Sequence, residues 1–319
     1  MGRPNRLKPS GFSRAAHSGF GAVVSIATAC LAAGDVYAQW YAGVALGGNA
    51  SRDVIVESRS NDRASICDEY VNPRALTVPG CTAQDRGAGD GWLAPFDPGA
   101  GFSAEAELGF RMSSRFRLAV VYGRNATDFD QTVSSTDATG ADFDKISNEL
   151  SIGEETLGDV TSDEVQIVAY RDWPNGSPWT PYVGFGVTAS RTRMDFSWVW
   201  ARSADPADIA TGLDQPNADE IRRNLAGTVS VGRRTLRDAM VGYALVAGID
   251  RELSENVSVG LKAQWKRFDA FESGAYEGDL LRSHPPNLRL DGSEAVSAWS
   301  RTGDTGRFSA LVTIRYAMP

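Results

Sequence analysis

Polar and apolar residues alternate with period two along several stretches of this chain, the spacing of a β-strand whose successive side chains point to opposite faces. In GFSAEAELGFR, Phe102, Ala104, Ala106, Leu108 and Phe110 share one face, while Ser103, Glu105, Glu107, Gly109 and Arg111 share the other. FRLAVVYGR from Phe116, NVSVGLKAQWK from Asn256 and GRFSALVTIRY from Gly306 repeat the pattern, and weaker versions begin at Trp40, Glu164, Pro181 and Met240. Eight strands of about nine to eleven residues follow, the length a tilted strand needs to cross a bilayer.

The connections alternate in length. Met112 to Arg115, Pro174 to Thr180 and Arg251 to Glu255 are short, whereas residues 49–100, 124–163, 190–239 and 268–305 are long. Antiparallel neighbours joined this way place every long loop at one end of a closed sheet. The expected fold is therefore all-β, an antiparallel up-and-down transmembrane barrel with short periplasmic turns and long extracellular loops. Further strand-like runs near Val54, Phe196 and Val229 either extend the barrel above the membrane or add a pair of strands to make ten. No tight turn separates them from their neighbours, which favours extension and eight strands.

A soluble sandwich or a lipocalin-like barrel would also alternate, so the aromatic positions have to decide. Trp40, Phe110, Phe116, Trp173 and Tyr316 fall near the periplasmic strand ends, and Phe102, Tyr122, Trp265 and Phe308 near the outer ends. All nine share the apolar parity, as two lipid-facing girdles would require. On the opposite parity lie Glu105, Glu107, Arg111, Arg117, Asp250, Lys262, Lys266, Arg307 and Arg315. An eight-stranded barrel is only wide enough inside for side chains. These charges are expected to pair across the lumen as a salt-bridged plug, because a lone buried charge is costly.

Composition adds the compartment. Mean hydropathy is −0.27, and no stretch outside the N-terminus approaches the roughly 18 apolar residues of a spanning helix. Residues 1–38 read as a signal peptide: Arg3, Arg6, Lys8 and Arg14 precede the apolar run from Phe20 to Gly34, and Val36-Tyr37-Ala38 supplies a cleavage site. The barrel would then occupy 39–319, and Cys30 would leave with the leader. Formal charge is −8, and losing four basic residues with the single acidic Asp35 takes the remainder to −11. A nucleic-acid partner is not expected of so acidic a chain. Cys67 and Cys81 remain, 14 positions apart in an exported chain, and are expected to form a disulfide.

Candidate chemistry is sparse. Gly184-Phe185-Gly186 lies inside a strand and opens no helix, so it is not a dinucleotide fingerprint. Segment 124–163 is acidic, with Asp128, Asp130, Asp142 and Asp144 in Asp-Phe-Asp runs. Divalent cation binding is the alternative there to a solvated loop, which is preferred because calcium-loop spacing is lacking. His284 is the one histidine outside the leader and reads as a loop residue. No catalytic, metal or cofactor-binding residue is assigned.

The strand, girdle and loop pattern, with WYAGVALGGN at the mature start and FSALVTIRY at the end, resembles the eight-stranded outer-membrane β-barrel family of the OmpA-transmembrane, opacity and surface-antigen type. That resemblance implies a bacterial outer-membrane surface protein of structural, adhesive or antigenic character and no enzyme activity. It also implies contact with outer-membrane lipid and lipopolysaccharide, handling by the barrel-assembly machinery, and a host or surface ligand at the loops. A small channel is the alternative, and a lipid A-modifying or proteolytic barrel a more distant one.

Overall fold

Strand follows strand from the start of the barrel, because period-two sequence leaves every main-chain N–H and C=O to be satisfied by a neighbour. The computed structural model describes residues 39–60, 65–81, 91–137, 148–276, 279–282, 289–293 and 298–318. The leader with Cys30, the Asp142 and Asp144 run and His284 lie outside these residues. The elements are β1 (Gln39–Ser51), β2 (Val54–Ser60), β3 (Trp92–Phe96), β4 (Ala100–Ser113), β5 (Phe116–Ser134), β6 (Leu150–Asp172), β7 (Trp179–Arg202), α1 (Ala218–Leu225), β8 (Val229–Glu252), β9 (Val257–Tyr276), β10 (Asp279–Arg282) and β11 (Ala298–Ala317).

Pairing runs β1-β4-β5-β6-β7-β8-β9-β11, and β11 returns to β1 in an antiparallel register from Tyr41↔Ala317 to Ser51↔Arg307. The sheet is thus closed by eight staves, with no free edge over the span where all eight pair, the only way a sheet can cross a bilayer. Above Ser51, β2 continues the β1 stave and pairs with β11, and β3 precedes β4 and pairs with β2. A bridge between Leu93 and Thr136 joins β3 to the end of β5.

Strands β5 to β9 and β11 are much longer than the nine to eleven residues expected, with 23 in β6 and 24 each in β7 and β8, while β1 and β4 have 13 and 14. Much of 124–163 and 190–239 is therefore barrel wall, and the runs at Val54, Phe196 and Val229 are strand extensions that add no ninth or tenth stave.

The reason lies in a reversal of polarity along the long strands β5 to β9. On β7, Val183, Phe185 and Val187 point out and are exposed, while Thr188, Ser190 and Thr192 point in and are buried. Beyond them the inward positions become Met194 and Phe196, and the outward ones Arg191 and Arg193. β9 turns over in the same way, from Leu261 outside and Lys262 inside to Arg267 outside and Phe268 inside. Apolar outside with polar inside suits lipid, and the opposite arrangement suits water. The switch marks the outer limit of the membrane band. Above it, Val56, Ala94, Phe96, Phe129, Leu157, Met194, Phe196, Leu236, Met240, Phe268 and Phe271 fill the barrel as an apolar core.

At the outer end, two connections pack together. Val71, Ile209, Ile221 and Leu225 form a small core of their own, tied by Asn217 Nδ2 donating to Asn72 Oδ1 (2.9 Å) and Asn224 Nδ2 donating to the Val71 carbonyl (2.8 Å). Cys67 and Cys81 are joined by a disulfide, with Cα atoms 5.1 Å apart. Closing a loop of that length is worth ~3 kcal/mol in the chain-entropy model. The Cys67→Ser/Cys81→Ser double variant should expose this cap to limited proteolysis while the barrel still migrates as a folded species. Unchanged cleavage would show that the bond does not hold the cap.

Candidate functional site

The lumen within the membrane band is the most heavily charged interior in the molecule. Eight of the nine charges expected to line it meet in one network, and two further inward carboxylates, Glu164 and Asp172, complete it. Glu105 is the centre: Lys262 Nζ donates to Oε2 at 2.7 Å, while Gln264 Nε2 (2.7 Å) and Lys266 Nζ (3.3 Å) donate to Oε1. Lys266 also reaches Glu164 Oε2 at 2.7 Å, and Arg307 donates to the other oxygen of Glu164. The side chains of Glu105, Lys262 and Lys266 are each 1% exposed, so no continuous water column passes them.

A second layer lies nearer the periplasm. Arg117 donates through Nη2 (2.8 Å) and Nε (3.1 Å) to Asp172 Oδ1 and stands 3.7 Å from Asp250. Arg315 donates to Asp250 and, at 3.2 Å, to the Tyr182 hydroxyl. The Tyr41 hydroxyl donates to Glu107 Oε1 at 2.6 Å and that of Tyr170 to Oε2 at 3.3 Å. The Arg117 guanidinium lies 5.5, 4.8 and 5.0 Å from the ring centres of Tyr41, Tyr170 and Tyr182, within cation–π range. Glu105, Glu107, Glu164, Asp172 and Asp250 thus stand against Arg117, Lys262, Lys266, Arg307 and Arg315, and the buried charges balance. Arg111 stays outside the network, half-buried beside a cavity of about 240 Å³ that opens at the periplasmic mouth.

The sequence reading missed the three inward tyrosines. Their signal is a glycine directly across the strand pair: Tyr41 faces Gly109, Tyr170 faces Gly184 and Tyr182 faces Gly248. A Cβ at Gly109 would sit 2.1 Å from the Tyr41 ring, so the ring folds flat over its neighbour only because no side chain is there. Gly184, part of the rejected Gly-Phe-Gly motif, has this packing duty.

Above the salt bridges, Ser103, Asn125, Asn49 and Thr127 form a neutral hydrogen-bonded layer, with Ser103 Oγ donating to Asn125 Oδ1 (2.6 Å), Asn49 Nδ2 to Ser103 Oγ (3.0 Å) and Thr127 Oγ1 to Asn49 Oδ1 (2.8 Å). Phe129 and Phe268 then begin the apolar core. Glu155 interrupts that core: it is 1% exposed, accepts from Trp92 Nε1, and its Oε2 has no partner. Burial pushes its carboxyl up to about 8 against the modest opposing pull of the Trp92 hydrogen bond. Glu149, at the rim, behaves oppositely. Burial raises it, but hydrogen bonds from Thr211 and Arg202 outweigh that and hold it below the usual carboxylate range.

The nine girdle aromatics all point outward and are exposed or half-exposed, with Trp40 packed edge-on against Phe110 at 5.2 Å. Of the acidic segment, Asp128 and Asp130 flank inward-facing Phe129 on β5, and Asp130 takes a positive φ of 40° where a bulge interrupts the β5–β6 register. Glu154, Asp159 and Asp163 are spread along β6, and no group of three or more potential metal ligands occurs among the described residues.

These features define the fold class as an eight-stranded antiparallel up-and-down β-barrel of the kind that crosses a bilayer. No protein-family model matches the chain, and no curated protein matches it in sequence. Among solved structures it is similar in fold to the outer membrane protein OprG from Pseudomonas aeruginosa, at 10% identity over 89% of this chain and 98% of that one with a TM-score of 0.43. It is also similar to Neisserial surface protein A, at 11% identity over 87% and 96% with a TM-score of 0.34. A third similar structure is the outer membrane protease OmpT from Escherichia coli, at 8% identity over 90% and 100% with a TM-score of 0.40.

Proposed function

We propose that this chain is a non-enzymatic surface protein of the bacterial outer membrane, exported by the segment 1–38 and anchored by the lower half of its barrel, with the outer half as its working end. The observation that carries the reading is the filled interior. Among the described residues, a charge-balanced layer in the membrane band and an apolar core above it leave no lumen for a solute. What a rigid, plugged barrel can do is hold an elaborate surface outside the cell, and the packed cap around Cys67 and Cys81 supplies one. The girdle aromatics belong in this reading at the two lipid interfaces.

The channel alternative needs a continuous polar path, which Phe129, Phe268 and Phe271 interrupt. Purified chain in a planar bilayer is expected to give no ohmic steps above leak. Steady conductance steps would reverse the order of the two readings. Outer-membrane fractionation with a heat-modifiable gel shift tests the placement itself, and a chain found free in the periplasm would sink it.

A further inference from the structure

The outward face of β7 and β8, just above the membrane band, carries an arrangement that costs stability as it stands. Arg191 is the first charged outward residue of β7, about 7 Å along the strand from Ala189, the last small apolar one. Arg193 follows on the same face, and the register places it directly opposite Arg237 of β8. Like charges directly opposite in a sheet repel one another. The chain is acidic overall, with 40 Asp and Glu against 32 Lys and Arg, so such a pair is not a by-product of composition.

Neighbouring carboxylates do not neutralise it. Asp163, opposite Arg191, accepts from Arg124 (3.2 Å) and the Tyr122 hydroxyl (2.9 Å). Asp195, diagonal to Arg237, accepts from Thr235 Oγ1 at 2.7 Å. Asp238 and Asp269 accept main-chain N–H groups at Glu272 and Val241. No ion pair within 4.0 Å involves Arg191, Arg193 or Arg237 among the described residues. Arg267 of β9, by contrast, is paired with Asp304 at 2.9 Å. Arg191 and Arg237 are exposed and Arg193 half-exposed.

Three unneutralised guanidiniums on one outward face, at the height where the wall changes from apolar to polar, fit an anion held at the membrane surface. Arginine is the side chain best suited to phosphate, which it binds with a planar, bidentate fork. We propose that Arg191, Arg193 and Arg237 form a docking patch for the phosphates of the outer-leaflet glycolipid, lipid A, whose acyl chains would lie along the exposed apolar wall formed by Val187, Ala189 and Val241 below. The patch rests on the outer-membrane reading above, since only there does a phosphorylated glycolipid face this height of the wall. Bound phosphate turns a repulsive cross-strand pair into a bridged one, so the lipid would tighten the β7–β8 wall where it leaves the bilayer.

The test uses the full chain refolded into phosphatidylcholine vesicles, with or without diphosphoryl lipid A, and reads the temperature at which the folded gel band is lost. Diphosphoryl lipid A should raise that temperature for the wild-type chain, and fully dephosphorylated lipid A should not. The R191Q/R193Q/R237Q variant should lose the rise, whereas R267Q, whose arginine already has a carboxylate, should keep it. In phosphatidylcholine alone R193Q should be at least as stable as wild type, because it removes repulsion. An equal rise in wild type and triple variant, or an R193Q chain less stable in neutral lipid, overturns the patch while leaving the barrel reading intact. A chain that never gives a folded band in any vesicle overturns both.

Discussion

Lys266→Met is expected to lower the stability of the folded barrel by about 3 kcal/mol, the lower end of the cost of breaking a buried pair by removing one partner. Lys266 is the single cation shared by Glu105 and Glu164. Its loss leaves five buried carboxylates against four cations, and neither water nor another side chain can move in where the neighbours are 1% exposed or less. Lys262 and Arg307 still hold one carboxylate each, which keeps the cost from rising further. The companion Lys266→Met/Glu164→Gln restores the balance at four against four and keeps an acceptor for Arg307. It should recover more than half of the loss, a coupling that a double-mutant cycle measures directly. Urea unfolding of the chain in lipid vesicles reads both variants. A single variant as stable as wild type would mean that the lumen is wet, and a double variant worse than the two singles combined would mean that packing, with charge secondary, sets the cost.

The same network explains how far the sequence could be read. Parity is enough to assign faces inside the membrane band, because lipid outside and a narrow lumen inside impose opposite chemistry on adjacent residues. Glu164 and Asp172 lie on the inward parity with Gln166 and Tyr170, but Val165, Ile167 and Val168 make that strand apolar on both faces and hide which way its carboxylates point. Which carboxylate meets which cation was not legible, since partners such as Glu105 and Lys262 are 157 positions apart and meet only through the stagger of the closed ring.

Outside the band the pattern failed in a more instructive way. Strands β5 to β9 continue, but their polarity inverts, so one alternation cancels the next when such a strand is scored as a single run. Thr192, Met194 and Phe196 share a face, yet the first belongs to a polar interior and the others to an apolar one. The segment 190–239 therefore read as a loop with strand-like islands. An inversion of phase within a continuous period-two run is the sequence sign of a barrel that rises out of its membrane. It also locates the outer interface, which is how the arginines of β7 and β8 come to be placed at the lipid surface.

Raising the pH from 5 to 8 should weaken the extracellular half of the barrel through Glu155. The carboxyl is held protonated up to about 8 in the folded chain, against an ordinary value of 4.5. Between those two values only the folded form keeps the proton, so folding stability is full below the lower one and falls as the pH climbs toward the upper. The slope is about 1.4 kcal/mol per pH unit, and the whole interval amounts to at most about 5 kcal/mol. Glu155→Gln removes the ionisation and keeps an oxygen for Trp92 Nε1, so its stability should lack this slope and exceed that of wild type at pH 8. Trp92 packs edge-on against Trp200 at 5.3 Å beside this carboxyl, which gives a fluorescence signal local to the outer barrel. The quantity to compare is the urea midpoint of that signal at the two pH values, wild type against variant, which cancels the titration of every other group. Parallel curves would show that Glu155 is ionised in the folded chain and that its unpartnered oxygen is reached by water. Diverging curves would establish an outer barrel whose core tightens in acid, at the end of the molecule that meets the surroundings of the cell.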